Sequence, residues 1–292
     1  SSLTVSADTE LNIADGITFS GATEISSGTT LKLSSTGTFG STLNLSGTLV
    51  AGANLTVSGL ISVAGNPAVS IPAAGTTLIY SGGNLNVGAH TLSIGGAGTL
   101  SNATGSPLVL DVADSILSLT GNGIISGPVK LESGTLKSTG SPTVSGALTQ
   151  SGDTTIDVLA NQTLTYSGAP LSMGAYTLTL TGGGTLVSGG LNLNNADSKL
   201  LLNSITVDSV STTVDNSLGV DVDNNSTITS LSVAKITPVS IASGKILSGA
   251  ITVTAGSLKL TEAGTLASSV SMSGGVLDAD ESSTVSGALS HT

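Results

Sequence analysis

The chain has no cysteine, no tryptophan and no arginine, and only two phenylalanines and three tyrosines among its 292 residues. Without cysteine there is no disulfide framework and no thiol chemistry, so a chain of this size must be held by packing and backbone hydrogen bonds alone. The shortage of rings excludes a wide interior plugged by aromatics and leaves a narrow one, filled by stacked aliphatic side chains. Charge is scarce too: 9% of residues, seven Lys against eighteen acids, for a formal net charge of -11. Such a surface repels polyanions, which excludes nucleic acid as a partner. No apolar run approaches the roughly 18 residues of a spanning helix. The longest aliphatic cluster is Leu200 to Leu202, so membrane insertion by this segment is not expected. The chain opens at Ser1 with neither Met nor a signal peptide, and is expected to be a processed or excised segment.

What is abundant is small and regular. Ser and Thr make up nearly a third of the residues and Gly another 39. A hydrophobic fraction of 38% and a mean hydropathy of +0.41 set the chain apart from a disordered linker, which lacks the apolar surface to offset chain entropy. One nine-residue phrase recurs five times: LKLSSTGTF (Leu31 to Phe39), LSIGGAGTL (Leu92 to Leu100), LSLTGNGII (Leu117 to Ile125), LTLTGGGTL (Leu178 to Leu186) and LKLTEAGTL (Leu258 to Leu266). Each reads as a short alternating strand, a Gly-bearing corner and the start of another strand. Repetition without intervening helices is the signature of a chain that coils and stacks on itself. The spacing assigns the core ladder to Leu31, Leu33, Leu92, Ile94, Leu117, Leu119, Leu178, Leu180, Leu258 and Leu260.

A longer repeat overlies the short one. Residues 78 to 100 align without gaps on 164 to 186, an offset of 86 that pairs Tyr80 with Tyr166 and His90 with Tyr176. Cassette starts 61 residues apart (31 to 92, and 117 to 178) fit three coils of about twenty residues, within the range of known repeats. The expected fold is therefore all-β: one right-handed parallel β-helix over residues 1–292, of about 12–14 coils. Residues 200–254, with weaker Gly punctuation, are its least regular part. Neither end looks like a cap, which suggests a piece of a longer repetitive protein or a fibre subunit whose ends neighbours cover.

Thr18 to Leu33, TFSGATEISSGTTLKL, resembles the autotransporter-associated β-strand repeat, with Phe19 as its aromatic, Gly21 and Gly28 as its glycines and Leu31 to Leu33 as its exit strand. The resemblance implies the secreted passenger region of a bacterial surface protein, folded as a right-handed parallel β-helix.

Chemistry is sparse. Polysaccharide-cleaving β-helices need clustered acids with a cationic partner; here Arg is absent and the only histidines are His90 and His291. Two acidic groups, Asp221 with Asp223 and Asn225, and Asp278 with Asp280 and Glu281, place oxygen ligands at alternate positions and are Ca²⁺ candidates as well as ordinary corner residues. No other cofactor is expected. Tyr80, Tyr166 and Tyr176 are the possible aromatic platforms for a ligand, and Thr177, Thr179 and Thr181 a possible ice-facing row. Sequons occur at Asn44, Asn54, Asn102, Asn161, Asn224 and Asn225. These features point to a non-catalytic extracellular structural protein: a cell-surface stalk, adhesin passenger or self-assembling fibre subunit. It would associate with itself end to end or laterally, or contact a surface glycan or another matrix protein. The alternatives are a lateral face that binds glycan or ice and, behind it, a polysaccharide-degrading enzyme.

Overall fold

In the computed structural model, which describes residues 2–215, 218–280 and 282–291, the chain is all-β with no helix among those residues, its parallel sheets stacked as a β-solenoid of about 14 turns. It falls into two compact units, Ser1–Leu148 and Thr149–Thr292.

In the first unit each turn is built from three short strands separated by corners. Thr23–Ile25, Thr30–Leu33 and Thr38–Phe39 make one turn, and Leu43–Leu45, Thr48–Ala51 and Leu55–Val57 the next. Each strand pairs in parallel with its counterpart one turn on: Thr23 beside Leu43, Leu31 beside Leu49, Phe39 beside Val57. Residues of period two alternate between interior and solvent, so Leu31 and Leu33 are buried while Lys32 is exposed. Loop length at the corners varies, and with it the length of a turn: 18 residues separate Leu31 from its partner Leu49, and 25 separate Val69 from Ile94.

All ten residues assigned to the core ladder are buried, but their stacking differs from the cassette alignment. The rung that starts at Leu31 passes through Leu49 and Val69 to Ile94 and Leu119, whereas Leu92 stacks on Leu117 and Leu136. The cassette is thus slipped two residues against the ladder. In the second unit the rung from Leu178 runs through Leu200, Val220 and Val239 to Leu260, again two residues beyond the cassette's Leu258. A slip of two preserves which face points inward, so selection for burial does not oppose it.

The cassette glycines, Gly37, Gly98, Gly123, Gly184 and Gly264, have a common reason. None needs an unusual backbone angle; each corner lies directly on the preceding turn. A Cβ at Gly123 would stand 2.5 Å from the Gly98 carbonyl oxygen, and one at Gly184 2.4 Å from that of Leu159.

The second unit shows what happens when such a corner is missing. Thr185–Val187 and Leu191–Leu193 are separate strands, but the strand that pairs with both, Thr206–Thr212, runs through without a break. Ser226–Val233 and Ile246–Val253 do the same, so residues 200–254 have one strand of four or five residues and one of seven or eight in each turn in place of three short ones. A register shift between Ile228 and Ser230 absorbs the bend. Gly249 sits opposite it at a φ of 127°, where a Cβ would fall 1.7 Å from the Ile228 oxygen.

Gly123→Ala should therefore destabilise the first unit by about 1–3 kcal/mol through overpacking. Gly105→Ala, in open space at an ordinary backbone angle, should leave stability unchanged or raise it slightly. Urea unfolding followed by circular dichroism separates the two outcomes.

Candidate functional site

Many of the polar side chains at the corners are engaged in holding one turn to the next. At corner after corner an Asn or Asp oxygen accepts a backbone N–H from the adjoining turn. Asp8 takes Thr30 N (2.8 Å), Asn54 takes Thr77 N (2.9 Å), Asp111 takes Gly88 N (2.8 Å), Asp153 takes Thr177 N (2.7 Å) and Asn225 takes Ile246 N (3.0 Å). Asp208 carries this furthest. Its carboxylate accepts from Ser188 N (3.0 Å), Ser188 Oγ (2.8 Å), Gly189 N (3.1 Å) and its own neighbour Ser209 N (2.8 Å). One fixed anion thereby closes the Ser188 corner of the turn before it.

The Ca²⁺ candidates have other partners. Asp221 forms an ion pair with Lys199 (2.5 Å) on the neighbouring strand, Asn225 holds the Ile246 amide, and Asp223 is exposed. Asp278 is exposed as well, on the strand Val276–Ala279. Asp280 is turned onto its own loop, accepting from the Ser282 and Ser283 hydroxyls (2.8 and 2.9 Å), and these two bonds lower its pKa below the ordinary carboxylate value. Glu281 lies outside the described residues. Among the described residues no group of three or more His, Asp or Glu is arranged to hold a metal ion.

The aromatic platform is overturned for two of its three members. Tyr80 and Tyr166 are 0% and 3% exposed, because the period-two pattern of their strands turns both rings inward. Tyr80 belongs to an inward column with Phe39, Val57 and Asn102. Tyr176 is half-buried at a corner, as is His90 in the first unit, each lying over a glycine two residues earlier.

The threonine row does not extend either: Thr177, Thr179 and Thr181 face Lys199, Leu201 and Asn203 on the next turn. Thr163 and Thr165 belong to a different sheet, where Thr163, Thr185, Thr206 and Thr227 align in register. Of the sequons, Asn102 is 5% exposed and donates through Nδ2 to Ser106 O (3.1 Å) and Pro128 O (2.8 Å), so it cannot carry a glycan in the folded chain.

What sequence patterning missed is a break in one sheet of the first unit. Leu3–Val5, Thr23–Ile25, Leu43–Leu45 and Ile61–Val63 form one four-stranded stack; with Leu85–Asn86 a separate stack begins. The Tyr80 hydroxyl reaches the break and accepts the Ile61 N–H at 3.4 Å. An open cleft of about 310 Å³ lies alongside, lined by residues that include Ser62, Asn84, Asn86 and His90. The one signal in the sequence was the tyrosine itself, a ring with a polar hydroxyl in an inward position.

No protein-family model, curated protein or solved structure matches this chain.

Two outcomes test this geometry. Asp208→Ala should speed amide exchange at Ser188 and Gly189 at least tenfold and cost about 1–3 kcal/mol by orphaning those donors, measured by hydrogen exchange and urea unfolding. Burial, opposed in part by the Ile61 amide, raises the Tyr80 phenol pKa. The folded state then keeps a proton that the unfolded chain releases above a pH of about 10. Stability from this group is full below that pH and declines as pH rises through the folded value. Between pH 8 and pH 11 the urea midpoint should therefore fall further for the natural chain than for Tyr80→Phe.

Proposed function

We propose that the protein is a non-catalytic structural element of an extracellular or cell-surface assembly: a stalk, an adhesin passenger or a fibre subunit. The observation that carries this reading is the repeated use of side chains for turn-to-turn adhesion in each unit. Aliphatic columns such as Leu178–Leu200–Val220–Val239–Leu260 fill the interior, and the corner acids and amides spend their acceptor capacity on backbone amides. Such an interior resists unwinding because each turn must break its ladder and its rung together. The resemblance of Thr18 to Leu33 to the autotransporter-associated repeat supports a secreted passenger. The composition agrees with it, being free of cysteine and poor in charge.

Association with further copies end to end accords with the terminal turns. Leu289 is 60% exposed in the last turn, whereas Val270, its partner one turn earlier, is 1% exposed.

Electron microscopy of concentrated protein, together with a turnover assay on a polysaccharide panel, tests the proposal. Filaments with a one-chain repeat support a fibre subunit, and unassociated particles without turnover support a stalk or passenger segment. Polysaccharide cleavage that a single Asp or Glu substitution abolishes would overturn both.

A further inference from the structure

We propose that the break in the first unit's sheet is a binding cleft for an uncharged saccharide, with the side-chain amides of Asn84 and Asn86 as its main hydrogen-bonding groups. This goes beyond the scaffold role and does not depend on it.

Elsewhere in that face of the unit, consecutive strands exchange ladder bonds; between Ile61–Val63 and Leu85–Asn86 they do not. Alternate residues of a parallel strand direct their N–H and C=O groups to opposite neighbours. Leu60 O accepts from Leu43 N, and Ala64 N donates to Leu45 O, so the backbone groups of Ile61 and Val63 face the break. Leu85 N and Val87 N donate to Pro107 O and Val109 O, so those of Asn84 and Asn86 face it from the other side. Tyr80 satisfies Ile61 N, and no strand pairing serves the rest. Backbone donors and acceptors therefore border an open cleft in pairs, which is the arrangement a hydroxyl-bearing ligand can bridge.

The lining decides the ligand's chemistry. Asn84, Asn86 and Ser62 are exposed, and their side chains both donate and accept; His90 is half-buried beside them. No Lys, Asp or Glu lines the cleft. The nearest carboxylate in the hydrogen-bond network, Asp111, is turned to Gly88 N and the Ser115 hydroxyl and so fixes the corner that carries His90. Apart from the His90 imidazole a charged ligand would find no counter-ion in this lining, whereas an uncharged one with neighbouring hydroxyls finds matched partners. Leu60, 47% exposed at the rim, offers an apolar surface to the C–H face of a sugar ring. At about 310 Å³ the cleft is at the small end of ligand sites, room for one or two pyranose rings.

The test is titration of the whole chain with maltotriose, the β-1,4-linked trisaccharide of N-acetylglucosamine, and trigalacturonate as the charged comparison, followed by ¹H–¹⁵N NMR. Saturable shifts confined to residues 60–63 and 84–90 with either uncharged trisaccharide are expected, weakened about tenfold in Asn84→Ala and in Asn86→Ala and unchanged in Thr179→Ala. All three sites are solvent-facing, and unchanged circular dichroism confirms folding. Saturation by the free trisaccharides alone would mark a site for sugar ends. A further gain with the corresponding soluble polymers would mark a site for internal chain segments. Absence of saturable binding to either uncharged probe, preference for trigalacturonate, or indifference to both Asn substitutions would overturn the proposal.

Discussion

A strand of three residues cannot stand alone, and in this protein most strands are about that short. Each obtains its hydrogen bonds from the turn above and the turn below, so the parallel register between successive turns is the constraint from which everything else follows. The register puts aliphatic side chains on aliphatic side chains. It also forces each corner onto the backbone beneath it, which is why Gly123 meets Gly98 and Gly184 meets Leu159. The donors and acceptors at corners, where strands end, are left for Asn, Asp and Ser to satisfy. A core this narrow has no need of aromatic rings and gains little from charge, and the composition reflects both.

From the same constraint comes the functional reading. A fold many of whose polar side chains are committed to neighbouring turns has few left to converge on a substrate, and among the described residues no three of its carboxylates and imidazoles gather in one place. Departures from the regular pattern then acquire meaning. The fused strands of residues 200–254 arise where a Gly-bearing corner is replaced by a bend, and Asp208 stitches that bend to the Ser188 corner of the preceding turn. The break beside Ile61 is of another kind, because there the ladder stops and a tyrosine hydroxyl takes the place of a strand.

The fold was legible from sequence because burial leaves a period-two trace, and Leu31, Leu92, Leu117, Leu178 and Leu258 with their partners two residues on are all interior. The exact stacking was not legible: a slip of two residues buries the same side chains, so Leu31 leads to Ile94 and not to Leu92. Tyr80 and Tyr166 were misjudged as surface platforms because an aromatic in a polar, small-residue chain looks like a ligand contact until its strand phase is counted. Asp221 and Asn225 looked like cation ligands for a similar reason. Oxygen atoms two and four positions apart are common to both uses, and only the adjoining turn, with Lys199 for one and the Ile246 amide for the other, decides between them. The cleft left almost no trace, since it is made by the absence of a pairing.

Because the chain has no native thiol, engineered cysteine pairs read the turn-to-turn register without interference. Glu24 lies directly beside Asn44 on the outer surface of one unit, and Lys259 beside Asp278 in the other. Strand spacing of about 4.8 Å falls inside the range that a disulfide spans. The account predicts that Glu24→Cys with Asn44→Cys, and Lys259→Cys with Asp278→Cys, each close an intramolecular disulfide on mild oxidation, while Glu24→Cys with Ser62→Cys, two turns apart, does not. Failure of both adjacent pairs to close, or ready closure of the distant one, would contradict the stacked parallel register on which the whole structure rests.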